Sequence, residues 1–259
     1  MDRDPLLEIA LRAAEAGGEA VMCAYADPAC EITQKSDKTP VTEADLASER
    51  VIVEMLCKAF PDIPVVSEET VPEAGFACPA AARFWLVDPL DGTREFVARN
   101  GEFAVLIGLV EDGRPVLGVV HGPAIGVTYM AHGPGTAMMR RGGGAFAPIR
   151  ARVPAPDGVV VVHSRSHENS RRLAEYFQDK PVLERMKCGS ALKFGVLAAA
   201  EADFYPRFGT TMEWDTCAGQ AVLEAAGGHV LGLDGKPLAY GKPGLKNDGF
   251  LAWGTTPAW

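Results

Sequence analysis

Residues 85–96 read WLVDPLDGTREF, and they set two carboxylates, Asp88 and Asp91, three positions apart around a proline and directly after an apolar run. Pro89 fixes one φ angle and Gly92 permits a conformation closed to other residues, so a tight turn here throws both acids to one side. Two hard oxygen ligands on one side suit Mg²⁺. A helix beginning after Gly92 would add the outward-pointing N–H groups of Gly92 and Thr93, where a phosphate can sit. The same pattern also serves as an Asp-rich turn whose acids merely cap backbone donors. The stretch alone does not choose between the two.

The pattern around it decides the fold class. Downstream, residues 103–122 (FAVLIGLVEDGRPVLGVVHG) form two strand-like runs about Asp112 and Gly113, a strong hairpin signal, and residues 126–133 (GVTYMAHG) add a third strand. Upstream, residues 63–67 (IPVVS) and 83–87 (RFWLV) read as short buried strands. Asp4 and Pro5 suit an N-cap and a first helical position, followed by an apolar stripe of Leu6, Ile9, Ala10, Ala13, Ala14 and Val21. A second helix opens in PVTEAD (40–45), with Thr42 as cap, Asp45 three positions on, and Leu46, Val53, Leu56 and Phe60 as its buried face.

Residues 150–158 (RARVPAPDG) are a Pro-containing polar seam, which divides an α+β lobe, 1–152, from a C-terminal α/β lobe, 153–259, acting as one functional unit. In the second lobe strand patterns (VVVVHS, VLERMK, ADFYP, HVLGL) alternate with helices near 168–178, 190–200 and 215–226, which predicts a mixed sheet covered by helices.

The chain has 259 residues, 47% of them hydrophobic, enough for a large core. Its formal charge of −9 and pI near 5.1 argue against a nucleic-acid polymer as partner, since such binders carry a basic stripe. An anionic substrate would need bound cations to offset that field. The N-terminus lacks the continuous apolar core of an export signal, and no apolar run approaches the ~20 residues of a membrane span. A soluble, cytoplasmic protein is expected, with peripheral attachment to the inner membrane left open. The six cysteines form no C-x-x-C pair and are expected as buried free thiols.

Further acids bear on the opening question. VVSEET supplies Glu68 and Glu69 at a strand end, and MEWDTCAGQAVLEAAGG supplies Asp215 at the opening of a helix that Gly227 stops. Singly, Asp215 suits an N-cap and Asp45 a capping box. Together, Asp45, Glu68, Asp88, Asp91 and Asp215 put five acids at element ends, and here the sequence resembles the inositol monophosphatase superfamily of Mg²⁺-dependent, lithium-sensitive phosphatases. Residues 88–93 match its D-P-[ILV]-D-G-[ST] signature, residues 214–219 its W-D-x-[AC]-[AGC]-G signature, and SEE and PVTEAD its other acidic segments.

The resemblance implies a layered α-β-α-β-α sandwich of mixed α and β structure. It implies that Glu68, Asp88 and the carbonyl of Leu90 hold one Mg²⁺ and Asp88, Asp91 and Asp215 a second, with Asp45 near a weaker third. Thr93 and Asp45, ahead of Glu69, would position and deprotonate the attacking water. Within the superfamily DGTREFVARNGEFAV (91–105), SRSH (164–167), CGSALKF (188–194) and YPRFGTTMEWD (205–215) are similar to the CysQ-type 3′(2′),5′-bisphosphate nucleotidases. That branch implies a bisphosphorylated nucleotide substrate, with Gly92, Thr93, Arg94, Gly189, Ser190 and Asp215 around the phosphates. Arg207 and Lys193 are the candidate cations for a second phosphate, and Ser166 and His167 would border the base. A solvated helix face for Lys193 and an ion pair of Arg207 with Asp203 or Glu213 are the alternatives. At the level of function the alternatives are an inositol or sugar-phosphate phosphatase and a non-catalytic nucleotide- or metal-binding regulator. Monomer and homodimer both remain compatible with the sequence.

Overall fold

The computed structural model describes residues 4–27, 32–34, 40–71, 81–166 and 170–255. Its helices are α1 (Pro5–Ala26), α2 (Glu43–Ala59), α3 (Thr93–Val97), α4 (Ser170–Tyr176), α5 (Leu192–Ala198) and α6 (Trp214–Ala225). Strands β1 (Ile32–Gln34) and β2 (Pro40–Thr42) pair with each other. A seven-stranded sheet runs in chain order through β3 (Val65–Ser67), β4 (Arg83–Asp91), β5 (Ala104–Glu111), β6 (Arg114–Gly122), β7 (Val127–His132), β8 (Met138–Arg141) and β9 (Ala147–Pro148). A five-stranded sheet is built from β10 (Val159–Ser164), β11 (Val182–Cys188), β12 (Phe204–Arg207), β14 (His229–Gly232) and β16 (Phe250–Trp253), in the order β11-β10-β12-β16-β14. Between them in sequence, β13 (Thr211–Met212) and β15 (Lys246–Asn247) make a separate pair.

Strand alternation sorts these elements into layers. Along β5, Val105, Ile107 and Leu109 join the buried cluster of α1 and α2, while Ala104 and Leu106 join the cluster that holds α5 and α6. The latter cluster continues into Val162, Tyr205 and Phe250 of the five-stranded sheet, so α5 and α6 lie between the two sheets. On the far face of the second sheet, Leu173 and Phe177, on and just beyond α4, pack on Val159, Val161 and Phe204. The order is therefore α1/α2, sheet, α5/α6, sheet, α4, an α-β-α-β-α sandwich.

Two glycines set the depth of α6. Gly108 and Gly118 are directly opposite each other on β5 and β6. A Cβ on Gly118 would lie 2.1 Å from the carbonyl oxygen of Ala218, and one on Gly108 would lie within 3 Å of Cys217 Sγ. Only bare backbone at both positions lets α6 approach this closely.

Local expectations hold at Asp4, whose Oδ1 accepts from Leu6 N at 2.8 Å, and at the hairpin, where Asp112 (φ 47°) and Gly113 (φ 74°) both take the left-handed form. Gly227, with φ 92°, follows the end of α6 as expected. Leu46 does not join the buried face of α2: it is 49% exposed, on the outer side of the helix. Cys23 and Cys57 are exposed thiols, whereas Cys217 is buried; Cys30 and Cys78 lie outside the described residues.

Candidate active site

In an unbroken strand, residues three apart point to opposite faces. Asp88 and Asp91 escape this because the DPLD segment is a bulge within β4, not a separate tight turn: Asp88 pairs with Leu106 and Asp91 with Ala104, three steps on β4 against two on β5. Leu106 and Ala104 both face the α5/α6 layer, and so do their partners. Pro89 is tolerated because a bulged residue owes no hydrogen bond to the ladder. Leu90 N donates to Asp88 Oδ1 at 3.1 Å, and Ser48 Oγ on α2 donates to Pro89 O at 2.9 Å, which fixes the bulge from both sides. Gly92 then turns the chain at φ 91° into the short helix α3. At its start Thr93 Oγ1 donates to Leu90 O at 3.4 Å, and Arg94 is exposed.

The other acids arrive by pairing and by helix placement. β3 runs parallel to β4 with Ser67 opposite Val87, so Glu68, whose N donates to Val87 O at 3.1 Å, falls beside Asp88. Asp215 lies inside the first turn of α6, with Glu213 in the N-cap position, so it is not the cap residue; its Oδ2 accepts from Met212 N at 2.8 Å. Carboxylate oxygens of Glu68, Asp88 and Asp215 lie within 4.8 Å of one another. Asp88 is only 2% exposed. Its burial, and then the charges of Glu68, Asp91, Asp215 and Asp45, push its carboxyl well above the ordinary 3.8. Asp215 is raised likewise, by desolvation and then by Asp91 and Glu68, against the pull of Met212 N and Arg207. Burial and like charge oppose ionisation of these two carboxyls, a cation among their oxygens would favour it, and an all-oxygen donor set fits a hard divalent ion.

Asp91 stands beside this group. Its Oδ2 accepts from Ser190 Oγ at 2.6 Å and from Ala191 N. Asp45 is buried on α2, close enough for its charge to act on Asp88, while Glu69 is half-buried in the turn after β3 and outside the three-acid group. The side chain of Thr42, its expected capping partner, lies outside the described residues, as does His167.

Lys193 is not on a solvated face. It is 3% exposed, and its Nζ donates to the carbonyls of Ser190 and of Cys188, 5.1 Å from the centre of the Tyr205 ring. The two acids weighed as partners of Arg207 are engaged elsewhere. Asp203 accepts from Arg152 Nε and Nη2 at 2.7 and 2.9 Å and from Val160 N at 2.7 Å. Glu213 accepts from Lys242 Nζ at 2.7 Å and from Gly241 N and Lys242 N. Arg207, at the end of β12, donates from Nη2 to Thr210 O at 3.3 Å, and its charge acts to lower the Asp215 carboxyl.

Several residues around the site were not singled out by their sequence. Glu95 on α3 is 4% exposed and accepts from Ser166 Oγ at 2.5 Å. Glu102 takes Arg165 Nε and Nη2 at 2.7 Å each, and Gly189 N at 2.7 Å. Although enclosure acts to raise it, the carboxyl of Glu102 is lowered on balance by those donors. Ser48 could have been found three positions after Asp45 on the same helical face. Glu102 and Arg165 stand in segments that resemble the CysQ branch, but nothing local in the sequence pairs them.

Comparison with known proteins places this geometry in a family. The model of the inositol monophosphatase family matches residues 2–252. The chain is 46% identical over 237 residues to the 3′(2′),5′-bisphosphate nucleotidase CysQ of Salmonella typhimurium, covering 91% of this chain and 94% of that protein. It is 44% identical to the protein of the same name from Shigella flexneri, with the same coverage. Among solved structures, CysQ from Bacteroides thetaiotaomicron superposes with a TM-score of 0.83 at 33% identity over 97% of each chain. An inositol monophosphatase from Anabaena gives 0.76 at 27% identity over 96% of this chain and 91% of that one. The bulge acids, the β3 glutamate and the α6 aspartate thus stand in a chain that belongs to the inositol monophosphatase family.

Proposed function

We propose that the protein is a Mg²⁺-dependent 3′(2′),5′-bisphosphate nucleotidase that hydrolyses 3′-phosphoadenosine 5′-phosphate to AMP and phosphate, removing a by-product of sulfate activation in the cytoplasm. One observation carries this reading: carboxylate oxygens of Glu68, Asp88 and Asp215 converge within 4.8 Å of one another, and the charge of Arg207 acts on this group through Asp215. The cluster suits phosphoryl transfer and the guanidinium suits a second phosphate. The likeness to CysQ proteins at up to 46% identity supports the same substrate.

Glu68, Asp88 and the Leu90 carbonyl would hold one Mg²⁺, and Asp88, Asp91 and Asp215 a second, with Asp45 beside a third. Bound Mg²⁺ supplies a lower pKa for the attacking water and positive charge for the phosphoryl oxygens and the leaving alkoxide. Thr93 Oγ1 and the Asp45 carboxylate orient that water and take its proton, and Glu69 is their reserve. The water oxygen bonds to phosphorus, the P–O3′ bond breaks in line, and the 3′-oxygen leaves as an alkoxide that takes a proton from solvent water, while the proton held at Asp45 returns to solvent. Amides of Gly92 and Thr93, with Arg94, steady the 3′-phosphate. Arg207 would bind the 5′-phosphate beside the Gly189–Ser190 turn, with Lys193 adding its charge from beneath that turn, where its Nζ meets the Ser190 and Cys188 carbonyls; Ser166 would border the base, with His167 as the other residue expected there. Residues 1–152 and 153–259 act as one unit, since the acids come from both.

The test is a phosphate-release panel of 3′-phosphoadenosine 5′-phosphate, inositol 1-phosphate and fructose 1,6-bisphosphate, run on wild type and Arg207→Gln. Losing charged hydrogen bonds to a phosphate should lower kcat/KM on the nucleotide by roughly 10-fold or more, and leave inositol 1-phosphate nearly unchanged. Equal losses on both, or a wild type that prefers inositol 1-phosphate, would overturn the nucleotide assignment. Binding of the nucleotide without turnover would make the protein a regulator instead.

A further inference from the structure

We propose that Glu102 and Arg165, with Glu95 and Ser166 beside them, form a latch that sets the 189–191 turn and, through that turn, the carboxylate of Asp91. The links are continuous. Arg165 forks onto Glu102 with two bonds of 2.7 Å, and the same carboxylate accepts Gly189 N at 2.7 Å. Ser166, the next residue, donates to the buried Glu95 at 2.5 Å. Glu95 in turn presses on both sides of the site: its Oε2 lies 3.4 Å from where a Gly92 Cβ would stand, and its Cγ lies 2.7 Å from that of Gly189. A Gly189 Cβ would also meet Glu102 O at 2.5 Å, so this residue must be glycine for the turn to close on the latch. Ser190 then takes φ 56°, a left-handed conformation that a serine holds only when its surroundings enforce it. What the strained turn delivers is Ser190 Oγ and Ala191 N, both onto Asp91 Oδ2. One carboxylate oxygen is thus held by the turn, and its orientation depends on residues that do not themselves touch the acid cluster. A bidentate guanidinium–carboxylate pair is suited to this because its two bonds fix angle as well as distance.

The latch rests on the metal reading above, and its test separates the two. The probe is Mg²⁺ alone, titrated against melting temperature without substrate, with circular dichroism at 25 °C as the check on folding. Partners behind a ligand typically change metal affinity by about 10-fold or more. Arg165→Ala and Glu102→Gln should therefore raise the Mg²⁺ concentration at half-maximal stabilisation about 10-fold, and Ser190→Ala should do the same. Arg165→Lys, which keeps the charge but loses the fork, should recover part of the loss. Arg171→Ala, which breaks the exposed pair with Glu175, should leave the midpoint unchanged. A melting temperature lowered equally at all Mg²⁺ concentrations, with an unchanged midpoint, would overturn the latch and leave the metal site standing. A wild type that Mg²⁺ fails to stabilise would overturn both.

Discussion

Asp88 is held where burial and like charges oppose its ionisation, and this makes a single-residue prediction with two signs. Asp88→Asn removes one charge from the cluster, so the metal-free variant should melt higher than metal-free wild type. With saturating Mg²⁺ the order should reverse, because the variant has lost a ligand common to both proposed ions. Activity should fall more than ~100-fold, beyond the usual effect of residues behind a ligand. Melting curves in EDTA and in Mg²⁺ test this, and a variant less stable than wild type in both would contradict it. The identities of Glu68, Asp88, Asp91 and Asp215 were legible because acids at element ends, in two family signatures, leave a pattern in the sequence. Lys193 was legible as a cation, but the burial that excludes the solvated-face alternative was not, since it depends on the turn whose carbonyls meet its Nζ. The pairing of Glu102 with Arg165 was not legible: both stand in segments that resemble the CysQ branch, but they meet across 63 residues and neither stands in a periodic pattern.

At the scale of elements, α6 carries Asp215 to the cluster only because β5 and β6 present backbone to it. Gly118→Ala would drive a methyl group into the Ala218 carbonyl, where neither partner is a flexible side chain. Overpacking of this kind costs about 1–3 kcal/mol or more, and urea unfolding should report at least that. Because the strain displaces the helix that holds Asp215, kcat/KM should fall in the folded variant as well, and unchanged kinetics would sink the link between helix depth and the site. The start of α6 is anchored independently. Glu213 is fully buried and binds Lys242 Nζ and two backbone N–H groups. Glu213→Ala should cost about 1–3 kcal/mol, measured the same way, since it leaves the N–H groups of Gly241 and Lys242 without their acceptor, while Lys242 Nζ keeps Ala239 O and Asn247 Oδ1. The hairpin, both long helices and the α6 stop were legible from local chemistry. The bulge was not: DPLD reads as a turn because proline and glycine mark turns, and only the register against β5 reveals a strand that continues through it. Nor was β16 foreseen, as its four residues gain their identity by insertion between β12 and β14.

At the scale of the whole molecule, a chain of net charge −9 concentrates part of its acidity at one site, and the pH dependence of its stability should show it. Asp88 and Asp215 have folded-state pKa values above the ordinary 3.8 in the metal-free protein. Between those limits the native state binds more protons than the unfolded one, so their contribution to stability is fully present below the unfolded value. It is lost as pH rises through the folded value. Metal-free wild type should thus lose stability relative to Asp88→Asn as pH is raised above the ordinary carboxylate range. Mg²⁺ inverts the trend, because its ligands must be ionised and its binding releases protons, so the midpoint concentration should fall as pH rises. At 100 times its dissociation constant the ion should add about 2.7 kcal/mol, with Li⁺ eroding both this stabilisation and the activity by competing for a Mg²⁺ position. Melting temperature mapped over pH with EDTA, Mg²⁺ and Mg²⁺ plus Li⁺ distinguishes these contributions. If the wild-type and Asp88→Asn curves in EDTA stay parallel across the range, the cluster is not the source of the pH dependence, and the acids are held ionised by some other means than a bound cation.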